Sequence, residues 1–85
     1  MGYDLRNRVV LITGASSGIG RACAAAYHRA GCQVVAAARS GERLESLCRE
    51  AGDARMASVT MDVTRPDDRA RAVAFARERF GPARW

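Results

Sequence analysis

The chain lacks lysine altogether: all 14 of its basic residues are arginines, which outnumber 9 acidic residues and give a formal net charge of +5. The arginines are scattered among acids, and aromatic residues make up only 6% of the chain. Nucleic-acid interfaces usually combine clustered basic residues with aromatic ones. We therefore interpret the positive charge as a solvated surface and expect no nucleic-acid partner.

The chain also lacks a CxxC motif and a long apolar run. Cys23, Cys32 and Cys48 form an odd number without CxxC spacing, which argues against a disulfide framework or a metal site and suits a reducing compartment. No apolar run approaches the roughly 20 residues of a membrane span. The first residues do not follow a signal-peptide pattern. These absences predict a cytoplasmic protein without metal and without a membrane partner.

The size and composition of the chain indicate one small folded domain. It has 85 residues, of which 48% are hydrophobic and 27% are charged, as in ordinary globular proteins. A domain of this size buries only roughly 60–65% of the surface that its unfolded chain exposes. We therefore expect marginal stability.

Apolar runs and helical patterns alternate along the chain. The run RVVLITG predicts a buried strand that ends at Gly14. A helix is predicted from about Gly18 to Arg29, with Ser16 and Ser17 as candidate N-caps. His28 is expected to lie at the surface or in an interface. The apolar face of this helix is predicted to comprise Ile19, Cys23, Ala26, Tyr27 and Ala30.

A second strand–helix unit follows the first. The strand is predicted from about Gln33 to Ala38, and the helix lies in SGERLESLCREAG. Ser40 is its predicted N-cap, and Gly52 is the glycine that ends it. The predicted apolar stripe of this helix is Leu44, Leu47, Cys48 and Ala51.

A third unit begins with a strand predicted from about Ala57 to Val63. The helix after it lies in TRPDDRARAVAFARERFG, with Thr64 as its cap and Pro66 in its first turn. Asp67 and Asp68 would oppose the positive end of the helix dipole. The predicted buried face is Val73, Ala76 and Phe80, and Gly81-Pro82 would end the helix.

The order β-α-β-α-β-α predicts an α/β fold with a three-stranded parallel sheet in the order 3-2-1. This order leaves the outer edge of the first strand unpaired, although it is the most apolar strand. An unpaired apolar edge invites pairing with another chain. We therefore expect an edge through which the chain can associate with a second copy or a partner.

The loop TGASSGIG joins the first strand to the first helix. Its glycines, Gly14, Gly18 and Gly20, match neither the G-x-G-x-x-G fingerprint nor a P-loop. Gly14 would let the chain turn sharply, and Gly18 would let a pyrophosphate approach the backbone. Gly20 would let the helix pack closely on the strand. The spacing therefore predicts a phosphate-binding turn.

The start of the first helix would supply the phosphate contacts. The N–H groups of Ser17, Gly18 and Ile19 are predicted to point out of the helix N-terminus, where partial positive charge favours an anion. Ser16 belongs to the same predicted site. The simpler alternative is that the glycines serve only a tight strand-to-helix turn.

The ends of the second and third strands would complete a dinucleotide site. Arg39 lies 19 positions after Gly20, where an acidic residue would bind the ribose of NAD. An arginine there would instead bind the 2′-phosphate of NADP, and Ser40 could add a hydroxyl. Asp62 could accept a hydrogen bond from the adenine amino group, while Val63 packs on the ring or donates its backbone N–H. The alternatives are a surface arginine and an aspartate that closes a strand.

Three segments together resemble the short-chain dehydrogenase/reductase family. TGASSGIG is similar to its cofactor loop, AAAR to its NADP-preferring form and MDVT to its adenine-pocket motif. The resemblance runs from about Leu5 to Pro82. It implies a truncated Rossmann fold and NADP-dependent oxidation or reduction of an alcohol or carbonyl. Many NADP-preferring members carry a basic residue in place of Ser17, so NAD stays an alternative.

The resemblance also implies catalytic groups that this chain does not contain. The family uses a tyrosine with a lysine four residues later, a serine, and an asparagine in an NNAG motif. Here Tyr3 and Tyr27 are followed four residues later by Asn7 and Gly31. We assign no catalytic residue and expect residues 1–85 to be a partial NAD(P)-binding domain that is inactive by itself. The alternative is a non-catalytic module that binds NADP or a partner chain.

Overall fold

Three parallel strands and three helices alternate along the chain in the computed structural model, which describes residues 8–62 and 64–81. The elements are β1 (Val9–Thr13), α1 (Gly18–Arg29), β2 (Gln33–Ala38), α2 (Gly41–Ala51), β3 (Met56–Thr60) and α3 (Pro66–Phe80). The strand order β1-β2-β3 is the predicted order 3-2-1 read from the other edge. The predicted α/β fold is confirmed.

The central strand β2 is buried on both faces because helices cover both sides of the sheet. Val9 of β1 pairs with Gln33, and Val34 pairs with Met56 of β3. Val34, Ala36 and Ala38 pack toward α1 and α2, together with Leu44 and Leu47. The opposite face, toward α3, contains Val9, Val35, Ala37, Val59, Met61, Ala72 and Ala76. This alternation follows from the period of two in a strand.

The prediction for α2 is confirmed in detail. Ser40 is the N-cap, and its hydroxyl oxygen accepts a hydrogen bond from the backbone N–H of Arg43 at 3.4 Å. Leu44 and Leu47 are buried, and the remaining two residues of the predicted stripe are partly buried against the same cluster. Gly52 ends the helix in the left-handed region, with φ 79°.

The predicted apolar face of α1 is wrong. Ile19 is 83% exposed and Tyr27 is 39% exposed, whereas the buried residues of the helix are Ala24 and His28. Gly20, Ala24 and His28 are spaced four residues apart and share one side of the helix. Small side chains at this side let α1 approach the sheet closely. His28 is thus buried, contrary to the expected surface position.

The third strand–helix unit also differs from its prediction. β3 ends at Thr60 and not near residue 63. Beyond it, the N–H of Met61 still donates to the carbonyl oxygen of Ala38, and the N–H of Asp62 donates to the carboxylate of Asp68. Arg65 and not Thr64 occupies the N-cap of α3. The buried residues of α3 are Ala72 and Ala76. Val73 and Phe80 of the predicted face are only partly buried.

The predicted first turn of α3 and the glycine after its last residue agree with the structure. Pro66 lies in the first turn of α3 with Asp67 and Asp68, as predicted, and Gly81 follows its last residue with φ 84°. Pro82 lies outside the described residues.

Among residues 8–62 and 64–81, no helix is long and apolar enough to cross a membrane.

Candidate functional site

The glycine-rich turn after β1 adopts the conformations that its glycines were expected to allow. Gly14 has φ 67° and Gly18 has φ 60°, both in the left-handed region that favours glycine. Between them, the N–H of Ala15 donates to the carbonyl oxygen of Ala37 at 3.2 Å, which holds the turn over the end of β2. A Cβ atom at Gly14 or Gly18 would meet nothing within 4 Å, so the space beside both is open.

Gly20 has the opposite environment. A Cβ atom there would overlap the carbonyl oxygen of Gly14 and would lie 2.7 Å from its carbonyl carbon. Helix α1 therefore crosses the turn at a distance that only glycine permits. The close approach brings the first turn of the helix against the end of β1.

The N-terminus of α1 presents backbone donors to this region. Ser17 occupies the N-cap with extended backbone angles, and Gly18 and Ile19 are the first helical residues. Ser17 is thus one of the two predicted N-cap candidates, but its side chain makes no cap hydrogen bond. The first N–H groups of a helix have no partner within the helix and favour an anion.

A cleft of about 190 Å³ lies beyond the carboxyl ends of the strands. It contains three of the predicted site residues, Gly14, Ser16 and Arg39. The remaining lining residues are Thr13, Ala37, Ala38 and Met61. Open α/β sheets bind their ligands at this end of the strands. The geometry thus brings the glycine-rich turn and the end of β2 to one cleft.

Residues after β2 form the rim of this cleft. Arg39 is exposed, and its side chain is the cationic group among the lining residues. Ser40 follows it as the N-cap of α2, so its hydroxyl oxygen already accepts from Arg43. The Ser40 hydroxyl can still donate its own proton. A second helix N-terminus therefore lies beside Arg39.

Asp62 is held in a hydrogen-bonded turn after β3. Its Oδ1 accepts from the backbone N–H of Thr64 at 2.9 Å and from the Thr64 hydroxyl at 2.6 Å. These bonds, the hydroxyl's first, lower the pKa of the Asp62 carboxyl, and the positive charge of Arg39 also contributes. Asp62 is therefore a carboxylate at neutral pH. Val63, the other predicted residue of this pair, lies outside the described residues.

The sequence reading missed several residues of the cleft. Ala37, Ala38 and Met61 were not predicted as part of it, although their positions at the strand ends could have indicated this. Asp68 was interpreted only through the helix dipole. The structure shows that its Oδ2 also accepts the backbone N–H of Asp62, at 2.9 Å. A contact between a loop and a helix six residues later has no simple sequence signature.

A parallel sheet, a glycine-rich strand-to-helix turn and a cleft beyond the strand ends define the cofactor-binding region of a Rossmann-type protein. The sequence model of the short chain dehydrogenase family matches residues 8–83. The chain belongs to the short-chain dehydrogenase family. This confirms the resemblance to that family.

Individual relatives give the same result. The chain is 53% identical over 79 residues to an A-factor type gamma-butyrolactone 1′-reductase of Streptomyces virginiae, covering 91% of this chain and 31% of the relative. It is 42% identical over 83 residues to dehydrogenase/reductase SDR family member 7B of Mus musculus, covering 91% and 26%. The chain thus spans about a third or less of the length of these relatives.

Solved structures confirm the fold. A short-chain dehydrogenase/reductase from Brucella melitensis superposes with a TM-score of 0.90 at 36% identity, covering 98% of this chain and 35% of that one. A 3-ketoacyl-(acyl-carrier-protein) reductase from the same organism, complexed with NADH, superposes with a TM-score of 0.87 at 34% identity, covering 93% and 32%. The match is therefore to the N-terminal cofactor-binding region of this family.

Proposed function

We propose that the chain binds NADP(H) in the cleft and forms the cofactor-binding part of an oxidoreductase acting on alcohols or carbonyls. The observation that carries the proposal is the position of Arg39, which lines the same cleft as the glycine-rich turn before α1. A cation at that position suits a 2′-phosphate, and the helix N-terminus suits a pyrophosphate. NAD(H) is the alternative cofactor.

The described residues fit the parts of such a dinucleotide. The open space beside Gly14 and Gly18 leaves room for a pyrophosphate at the first N–H groups of α1, with Ser16 beside it. The N–H groups that would bind it belong to Ser17, Gly18 and Ile19. Arg39 and Ser40 would hold the 2′-phosphate, and Asp62 would accept from the adenine amino group. Val63, which follows Asp62 in the sequence, would pack on the adenine ring or donate its backbone N–H to it.

A titration of the purified chain with NADPH and NADH tests the proposal. We expect saturable binding with NADPH preferred. Arg39→Ala should weaken NADPH about ten- to hundredfold, the effect of losing one charge-assisted hydrogen bond or a pair. NADH affinity should change little. Arg49→Ala, which removes an exposed arginine from the last turn of α2, is the matched control.

The titration tests cofactor binding by the chain and the role of Arg39 separately. If neither cofactor binds saturably to the wild-type chain, the proposed function is wrong. If NADPH and NADH bind equally well, or if Arg39→Ala affects both alike, only the role of Arg39 is wrong.

We further propose that residues 1–85, as part of a longer NAD(P)-binding domain, do not catalyse turnover by themselves. In the chain, neither tyrosine is followed four residues later by a lysine, and there is no lysine elsewhere. The chain thus has no lysine-assisted tyrosine that could donate a proton to the carbonyl oxygen of a substrate. Oxidation of NADPH by the pure chain in the presence of carbonyl compounds would contradict this proposal.

A second candidate function is association through the open edge of β1. Among the described residues, β1 pairs only with β2. On α1, Ile19 and Tyr27 are exposed large apolar residues. We expect the chain to self-associate with increasing concentration in sedimentation experiments. A monomer at all concentrations would contradict this candidate.

A further inference from the structure

The segment between β3 and α3 is fixed to its surroundings by backbone hydrogen bonds on both sides. The N–H of Met61 donates to the carbonyl oxygen of Ala38 at 2.8 Å, which binds the segment to the end of β2. From the other side, Oδ2 of Asp68 accepts the N–H of Asp62 at 2.9 Å. A guanidinium N–H of Arg71 donates to the carbonyl oxygen of Thr60 at 3.1 Å. Residues 60–62 are thereby held between β2 and α3.

The two acidic residues in the first turn of α3 differ in their contacts. Asp68 is only 24% exposed at its side chain, accepts from Asp62 and also pairs with Arg71 at 3.4 Å. Its neighbour Asp67 is exposed and has no side-chain partner among residues 8–62 and 64–81. Both oppose the dipole of the helix alike. Only Asp68, therefore, connects the helix to the loop that carries Asp62.

The effect of this connection on Asp62 is geometric. The carboxylate of Asp62 is oriented by Thr64 on its C-terminal side, and its backbone is anchored by Asp68. Without the anchor, the N–H of Asp62 would need another partner, and residues 60–62 would lose one of their fixed points. A hydrogen bond to a ligand is weakened when its acceptor must first be ordered.

We infer that Asp68 is a positioning residue for adenine recognition, because it fixes the backbone of Asp62 and so aims its carboxylate at the adenine amino group. The inference rests on the proposed function. It predicts that Asp68 contributes to the affinity for the adenine base and little to the affinity for the rest of the dinucleotide. Asp68 itself would not touch the cofactor.

The test compares NADPH with its hypoxanthine analogue, in which a carbonyl oxygen replaces the adenine amino group. The wild-type chain should bind NADPH more tightly than the analogue. Asp68→Ala should weaken NADPH about tenfold, the effect of one lost hydrogen bond to a charged group, and leave the analogue nearly unchanged. The preference for NADPH would then largely disappear. A merely structural role would lower the folded fraction and weaken both ligands equally.

Two further variants sharpen this test. Asp68→Asn retains an oxygen that can accept the N–H of Asp62, so it should restore most of the preference for NADPH. Asp67→Ala is the matched control, since it removes an equivalent charge from the same helical turn without touching Asp62. If Asp68→Ala does not fold, Asp68→Glu replaces it, because the longer side chain displaces the carboxylate; the same loss is expected.

The failure of the inference can be distinguished from failure of the proposed function. If the wild-type chain binds neither NADPH nor the analogue, the proposed function fails, and the inference fails with it. If the wild type prefers NADPH and Asp68→Ala keeps that preference unchanged, only the inference is overturned.

Discussion

The imidazole Nε2 of His28 lies 2.9 Å from Oδ1 of Asp53. The same oxygen accepts the backbone N–H of Arg55, and the Arg55 guanidinium donates to Oδ2 of Asp53 and to the carbonyl oxygen of His28. These bonds join the last turn of α1 to the turn that precedes β3. They lie at the amino ends of the strands, opposite the cleft.

This cluster predicts how stability depends on pH. The hydrogen bond with His28, followed by that from the Arg55 backbone, lowers the pKa of Asp53 from 3.8 to about 2. A carboxyl group with a lowered pKa in the folded state stabilises that state fully above its unfolded pKa. The contribution disappears as the pH falls from 3.8 toward about 2. Asp53→Asn should therefore lower stability at neutral pH and make it less sensitive to acid.

Urea unfolding followed by circular dichroism across this pH range measures the effect. Asp67→Asn is the control, because its carboxyl has no side-chain partner among the described residues. A difference between wild type and Asp53→Asn that stays constant from neutral pH to about pH 2 would contradict the prediction.

Gly20→Ala should destabilise the chain by about 1–3 kcal/mol, because the new methyl group would overlap backbone atoms of Gly14 that cannot move independently. Gly41→Ala is the matched control at the start of α2. A Cβ atom there meets only Thr60 Oγ1, at an ordinary 3.5 Å. Urea midpoints of the two variants measure the difference. Equal stability would show that the turn before α1 can yield.

The two N-cap serines should respond differently to alanine. Ser40→Ala removes a side-chain cap and should cost roughly 0.5–1 kcal/mol, at the low end for caps because the bond is long. Ser17→Ala removes no cap hydrogen bond, so its cost should be smaller. Thermal unfolding of both variants without cofactor measures this order. The reverse order would contradict the cap assignment.

Truncation to alanine should lower the stability of the chain at a buried large apolar residue and leave it nearly unchanged at an exposed one. Leu47 is 2% exposed, and Leu47→Ala should cost about 2–5 kcal/mol, enough to unfold much of a marginal domain. Ile19 is 83% exposed, and Ile19→Ala should change stability by no more than about 0.5 kcal/mol. Chemical unfolding of each variant, read by circular dichroism, measures both. A comparable loss in Ile19→Ala would mean that its side chain packs in solution.

Some of the candidate site could be predicted because its signals are local. The apolar run before Gly14, the glycine spacing after it and the cap at Ser40 each depend on neighbours in the chain. The parallel pairing of the strands follows from their alternation with helices, which requires right-handed crossovers. These features together predict that Arg39 lies near the glycine-rich turn. The cofactor roles of these residues, like the cytoplasmic location, stay predictions.

The errors arose where packing distance mattered more than hydrophobicity. Ile19 and Tyr27 were predicted as buried because they are large and apolar. The sheet instead contacts the side of α1 that carries Gly20 and Ala24, since small residues permit close approach. His28 is buried for a related reason: it lies on that side and finds a partner in Asp53. The spacing of apolar residues along a helix cannot indicate a hydrogen-bond partner that lies 25 residues away in the sequence.

The sequence by itself therefore determined the alternation of strands and helices, the turn chemistry at Gly14 and the family to which the chain belongs, since each depends on short stretches of contiguous residues. Only the tertiary structure decided which side of α1 faces the sheet and where β3 ends. It also decided which acidic residue of α3 anchors Asp62. These features depend on distances between atoms from different elements, and such distances are set when the elements pack against one another.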